Sequence, residues 1–158
     1  MEFKKIKKDY MKSEYAKQIT EWKYNNEYSV YNLPSYEECV NEKYRITLED
    51  EKNNYKVYIL NNEVVFYYNI KKIYDDRICI GVGLKPEYCG KGLGAYFLND
   101  CIKEIKNKFT NPILFVRVRS WNKRAIKAYE KVGFNILRSY IMEDRFGKNT
   151  EFVELEMI

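Results

Sequence analysis

Histidine is absent from this chain of 158 residues, and that absence removes a large part of enzyme chemistry. No Ser-His or Cys-His nucleophile can be built, and the commonest metal-ligating side chain is missing. The four cysteines, Cys39, Cys79, Cys89 and Cys101, include no C-x-x-C pair. Neither a zinc site nor a disulfide framework is expected, and no metal. No apolar run approaches the ~20 residues of a membrane helix, and the Lys-rich start lacks the apolar centre of a signal peptide. The expectation is a cytoplasmic protein with no membrane partner.

Hydrophobic residues make up 46% of the chain and charged residues 32%, which reads as one globular domain over residues 1–158, long enough to bury a core. The net charge of +5 favours anionic partners by steering. Basic residues are nevertheless interspersed with acidic ones, and their densest cluster, Lys4, Lys5, Lys7 and Lys8, sits at the start. A solvated face is the expected role, with no nucleic-acid partner. No internal repeat or low-complexity linker divides the chain.

Glycines are few, and three of them fall together in the stretch from Ile78 to Lys106, at Gly90, Gly92 and Gly94. An apolar, β-favouring run stops at Pro86, passes through this turn and continues as a helix with one apolar face. A strand feeding a glycine turn and a helix start makes an anion site, because backbone N–H groups can approach a ligand closely and the helix adds unpaired donors and its positive dipole end. The ligand implied is a phosphate or pyrophosphate. Gly90-Lys91 is followed by Gly92 rather than Ser or Thr, so no hydroxyl is placed for Mg²⁺ as a P-loop requires. Gly81-Val82-Gly83 meets Pro86 where a dinucleotide fingerprint needs its third glycine.

In chain order, Phe3 to Lys7 is predicted as a first strand and Lys12 to Trp22 as a helix, with Tyr15, Ala16, Ile19 and Trp22 at helical spacing. Ser35 is placed to cap a second helix through Val40. Tyr44 to Leu48, Tyr55 to Leu60, Glu63 to Ile70 and Arg77 to Leu84 read as strands, with turns at Asn61-Asn62 and Asp75-Asp76. The helix from about Gly92 to Lys108 presents Phe97, Leu98, Cys101, Ile102, Ile105 and Phe109 on one stripe. Because it connects them, the Arg77 strand and the strand Ile113 to Arg119 should run parallel. Asn122 caps a further helix with Ala125, Ile126, Tyr129 and Val132 inward, and Gly133 ends it. Closing strands over Asn135 to Glu143 and Thr150 to Glu156 pair around Phe146-Gly147. The fold class is α/β with a mixed, mostly antiparallel sheet.

Two blocks carry a resemblance. Cys89, Gly90, Lys91, Gly92, Leu93 and Gly94 fall on the pattern of Arg or Gln, two residues, Gly, one residue, Gly or Ala, with Cys89 standing where Arg or Gln is usual. Downstream, Ile113 to Phe134 combines a strand with Asn122, Arg124-Ala125, Tyr129-Glu130-Lys131 and Gly133-Phe134. In that order the two blocks resemble the GNAT superfamily of acetyl-CoA-dependent N-acetyltransferases. The resemblance implies a seven-stranded sheet that splays at two parallel strands and is flanked by about four helices. It implies acetyl-CoA as cosubstrate. Its pyrophosphate would lie on residues 89–94 and its pantetheine arm would pair with the backbone of Val82, Gly83 and Leu84 as an added strand. A backbone N–H there would hold the thioester oxygen.

Asn122 matches the family asparagine that bonds the pantetheine or acetyl region. Tyr129 matches the tyrosine near the CoA sulfur, and a phenol, with a pKa near 10, remains protonated at neutral pH and can donate to a departing thiolate as general acid. The first two helices would lie over the acceptor entrance, where Trp22, Tyr24, Tyr28 and Tyr31 are candidates to line an amine pocket. The acceptor would be a small-molecule or peptide amine. Its general base is not singled out: Glu63, Glu151, Glu154 or water alone could take the proton, and a surface salt bridge is the expected role of each carboxylate. Cys89, set at a helix N-terminus beside Lys91, reads either as a thiol of raised reactivity or as a small residue tolerated where Arg is usual. A homodimer is the commonest assembly for a chain of this kind. The alternative to an enzyme is a CoA-binding sensor or interaction module without catalysis.

Overall fold

The computed structural model of the chain describes residues 3–74 and 76–158, so Asp75 of the expected Asp75-Asp76 turn lies outside the described residues. Its strands are β1 Lys7–Tyr10, β2 Tyr55–Leu60, β3 Glu63–Tyr74, β4 Arg77–Leu84, β5 Ile113–Arg119, β6 Asn135–Glu143 and β7 Asn149–Met157. They form one seven-stranded sheet in the order β1-β2-β3-β4-β5-β7-β6. The α-helices are α1 Ser13–Thr20, α2 Tyr36–Asn41, α3 Leu93–Lys108 and α4 Lys123–Lys131. None is long and apolar enough to cross a membrane. As the connecting helix α3 required, β4 and β5 run parallel, with Arg77 opposite Ile113, Ile78 opposite Leu114 and Cys79 opposite Phe115. That ladder ends at Cys79, whereas β4 continues to Leu84.

The chain forms two compact units, Met1–Asn69 with Val82–Cys89 and Ile70–Gly81 with Gly90–Ile158, and β3 and β4 give residues to both. In the first unit, Met11, Ala16, Ile19, Trp22, Ile46, Tyr55, Val57 and Val64 form a buried cluster, bordered by Tyr15, Tyr24, Tyr44 and Tyr67. Ala16 and Ile19 come from one face of α1, and Tyr55 and Val57 from alternate positions of β2, as helical and strand periods dictate. Ser35 caps α2 by accepting from the Glu38 N–H, and Asn61 and Asn62 both take positive φ in the β2–β3 turn, which asparagine tolerates best among residues with side chains.

Two expected strands differ. Phe3–Lys5 is a short 3-10 turn, and the first strand lies further on, at Lys7–Tyr10, pairing antiparallel with β2 from Lys7 opposite Ile59 to Tyr10 opposite Lys56. It is an edge strand, and its lysines suit an edge that must not recruit another chain. Tyr44 to Leu48 is not a strand but the 3-10 turn Arg45–Thr47. The Thr47 hydroxyl donates to the Tyr44 carbonyl at 2.7 Å, and Arg45 bonds Glu51 and Asn69. Side-chain bonds of this kind compete with a ladder and here they win.

In the second unit α3 buries Phe97, Leu98, Cys101, Ile102 and Ile105, and α3 lies beside α4. β5 and β7 bury Leu114, Phe115, Val116, Val118, Leu155 and Met157. Glu154 of β7 is also buried, only 1% exposed, so the expected surface salt bridge is instead an internal one. It stands opposite Arg117 of β5 and Arg138 of β6, and its carboxylate accepts from Arg77 at 3.0 Å and Arg138 at 3.2 Å. Converging guanidinium groups are what make a carboxylate tenable there.

The β6–β7 turn is organised by Asp144, whose carboxylate accepts from the N–H groups of Phe146 and Lys148, from Arg119 and from the Thr150 hydroxyl. Foremost through the Lys148 N–H bond, these donors hold its pKa down at about 2. A depressed carboxylate contributes stability that is complete above its unfolded pKa near 4 and is lost as pH falls through the folded value. Thermal melts of the protein and of Asp144→Asn are therefore expected to differ above about pH 4 and to converge by about pH 2. A constant difference across that range would count against this role.

Candidate functional site

The C-terminal end of β4 is held in the first unit. The Lys85 N–H donates to the Val65 carbonyl of β3 at 2.9 Å. Backbone groups alternate sides along a strand, so Gly83 faces β3, while the Val82 N–H and C=O and the Leu84 N–H are directed away from it. The Leu84 carbonyl is occupied: the Tyr24 hydroxyl donates to it at 2.7 Å. Tyr24 is in turn fixed by Asn32, whose side-chain oxygen accepts from the Tyr24 N–H at 2.7 Å and whose amide donates to the Tyr24 carbonyl.

Gly83 is required by its neighbour. A Cβ there would run into the Tyr67 ring, meeting Cζ at 2.6 Å and the hydroxyl oxygen at 2.9 Å. Trp22 and Tyr55 flank Tyr67, with ring centroids 5.9 and 6.0 Å away. Of the aromatics expected to line an amine pocket, Trp22 and Tyr24 thus sit with the end of β4. Tyr28 and Tyr31 belong to the 3-10 stretch Asn26–Tyr31, and Tyr31 is exposed. Glu63 pairs with Lys85 at 3.0 Å, and Glu151 is exposed.

Pro86 opens a 3-10 turn, Pro86–Tyr88, after which the chain reaches the glycines. Cys89 closes that turn, its N–H donating to the Pro86 carbonyl and its thiol to the carbonyls of Leu84 and Lys85 at 3.7 Å each. The expected placement of Cys89 at a helix N-terminus is therefore corrected: α3 starts only at Leu93, and the thiol is turned back toward β4.

In the second unit Gly90 and Gly92 take φ of 74° and 77°, values that only glycine adopts cheaply. Gly92 is the N-cap of α3 and no side chain caps the helix, so the N–H groups of its first turn, which no helix can satisfy internally, lie along Leu93 to Tyr96. Gly94 is different. It lies inside the helix, its φ is not positive and a Cβ would meet no atom within 4 Å, so the protein supplies no steric reason for a residue that costs a helix about 1 kcal/mol. A ligand lying close against the backbone supplies one. The residues thus fit a pyrophosphate on dipole and steric grounds.

Asn122 is buried and caps α4, its side-chain oxygen accepting from the Ala125 N–H at 3.1 Å. Tyr129, two turns further on, is 7% exposed and packs edge-on against Phe134 at 5.6 Å. Gly133, with φ of 111°, ends the helix as expected. Asn122 and Tyr129 share α4 with one another, and α4 borders α3, whose N-terminus carries the glycine turn.

Residues 15–134 match the Acetyltransferase (GNAT) family. The chain belongs to that family. No curated protein sequence matches it, but solved GNAT structures share its fold at low identity. A GNAT-family acetyltransferase from Bacillus anthracis superposes with a TM-score of 0.77 at 12% identity, over 98% of this chain and 95% of that one. YncA from Salmonella typhimurium, whose structure holds its cofactor acetyl-CoA, gives 0.66 at 15%, over 97% and 93%. The ribosomal-protein-S18-alanine N-acetyltransferase of Escherichia coli gives 0.66 at 17%, over 96% and 92%. The GNAT sheet with its single parallel pair is the architecture described above. Sequence reading gave no place to Tyr67, because its apposition to Gly83 depends on the β3–β4 register, which no local pattern encodes.

Proposed function

We propose that this GNAT chain transfers an acetyl group from acetyl-CoA to a primary amine of a small molecule or peptide. The observation that carries the reading is the uncapped N-terminus of α3 behind the left-handed glycines 90 and 92, with Gly94 bare on its first turn. There the N–H groups, the helix dipole and the missing side chains favour a pyrophosphate, with Gly90, Lys91, Gly92, Leu93 and Gly94 around it. Cys89 contributes its position in the turn rather than its side chain.

Acetyl-CoA supplies an activated thioester. Val82 and the Leu84 N–H offer backbone groups on the side of β4 away from β3, which suits a pantetheine arm lying as an added strand. Gly83 keeps that segment bare. Asn122 would orient the acetyl end while capping α4. As a neutral amine forms its bond to the carbonyl carbon and releases a proton to water, the carbon–sulfur bond breaks and Tyr129 would donate its phenolic proton to the departing sulfur, regaining one from water afterwards. An amine acceptor accords with the S18-alanine enzyme that shares this fold.

The test is calorimetric titration of acetyl-CoA, followed by a screen of amines for CoA release and by Tyr129→Phe. Turnover is expected to fall roughly a hundredfold in the variant, the scale of general-acid assistance, with acetyl-CoA affinity retained. Binding without turnover on any amine would favour a CoA-binding module over an enzyme.

A further inference from the structure

We infer that Tyr67 is a second hydrogen-bond donor to the reacting acetyl group, its phenol reaching over Gly83 to the thioester carbonyl oxygen. The inference rests on the acetyl-CoA reading of β4 and adds to it a side chain that lies outside both family blocks. Three observations converge on this phenol. It stands directly on the backbone of Gly83, so close that no Cβ can be accommodated. It is held there from two sides by Trp22 and Tyr55, whose rings are tilted by 33° and 35° to its own. And among the described residues its hydroxyl has no hydrogen-bond partner, in contrast to Tyr24 beside it, whose hydroxyl is spent on the Leu84 carbonyl.

Tyr67 is half-buried and its hydroxyl is not cut off from solvent, so an acceptor from outside the protein can reach it. The chemistry of that acceptor follows from where the hydroxyl lies. It overhangs Gly83, which carries no side chain, beside the Val82 and Leu84 groups that suit a pantetheine arm. A carbonyl oxygen at the acyl end of that arm is an acceptor of the right kind, and it gains negative charge during attack. Desolvation lifts the Tyr67 phenol to about 12, so it keeps its proton throughout the pH range in which an amine is acetylated. A donor fixed before the reaction stabilises that charge without reorganisation.

Tyr67→Phe is the test, because it keeps the ring on Gly83 and removes only the hydroxyl. Acetyl-CoA labelled with ¹³C at the thioester carbonyl is titrated into both proteins by calorimetry and its carbonyl stretch is then recorded by difference infrared spectroscopy. In the parent the band is expected below that of the ligand in water. In the variant it should move back up, while Kd changes by less than about threefold and turnover on an amine found by the screen falls roughly a hundredfold. An unchanged band in a variant that still binds overturns the role of Tyr67 and leaves the acetyl-CoA reading standing. Failure of the parent itself to bind shows in the calorimetry before any spectrum and overturns both.

Discussion

Glutamate in place of Gly94 is expected to abolish acetyl-CoA binding while leaving the fold intact or slightly firmer. The two halves of that result come from the same position. Gly94 lies in the first turn of α3, in a helical conformation, and a side chain there would meet no protein atom within 4 Å. Exchanging glycine for glutamate removes a helix penalty of about 0.5–1 kcal/mol, and an acidic group in the first turn gains a further ~0.3–1 kcal/mol from the dipole. For a bound pyrophosphate the same carboxylate is a like charge at short range. At about 4 Å in a partly shielded site the repulsion is on the order of 4 kcal/mol, or roughly a thousandfold in Kd. Gly92 would be a poorer position for the experiment, since its φ of 77° makes any side chain a source of backbone strain. Thermal melting and calorimetric titration of the parent and Gly94→Glu decide the matter. Equal affinities in two folded proteins would remove the glycine turn as the phosphate site.

Much of this site was open to reading from the sequence, because its parts are local. The glycine turn, the apolar stripe of α3, the Asn122 cap and the Gly133 stop are each set by residues within a few positions of one another, and the helices fall where those signals place them. What escaped is set by partners distant in the chain. Glu154 looks like a surface residue until β7 is known to lie between β5 and β6, which brings Arg117 and Arg138 to its two sides. Tyr44 to Leu48 has the composition of a strand, yet Arg45 finds partners at Glu51 and Asn69 and the segment turns instead. β1 was displaced because its four residues, Lys7–Tyr10, include no alternating apolar face and are defined by pairing with β2 alone. By its place in the chain Cys89 belongs to the helix start. The Pro86–Tyr88 turn intervenes and directs the thiol elsewhere.

The apposition of Gly83 and Tyr67 yields the second large expectation, a change of sign. Glycine inside a strand is ordinarily a weakness of roughly 0.5–1 kcal/mol relative to alanine, so Gly83→Ala on an unobstructed strand would stabilise the protein. Here the added methyl meets a ring that cannot swing aside freely, because Trp22 and Tyr55 border it. Overpacking of this kind costs about 1–3 kcal/mol, which outweighs the backbone gain. Gly83→Ala is therefore expected to destabilise the parent and to stabilise a Tyr67→Ala background, in which the obstacle is gone. Urea denaturation of the four proteins measures both effects and their difference, a coupling of about 1–3 kcal/mol equal to the overpacking cost, beyond what independent sites show. Equal effects of Gly83→Ala in the two backgrounds would mean that the contact does not constrain this strand. A reversal of sign would show instead that glycine is kept at position 83 for the ring that stands on it, which puts that ring and its hydroxyl against the backbone where the acetyl group is proposed to lie.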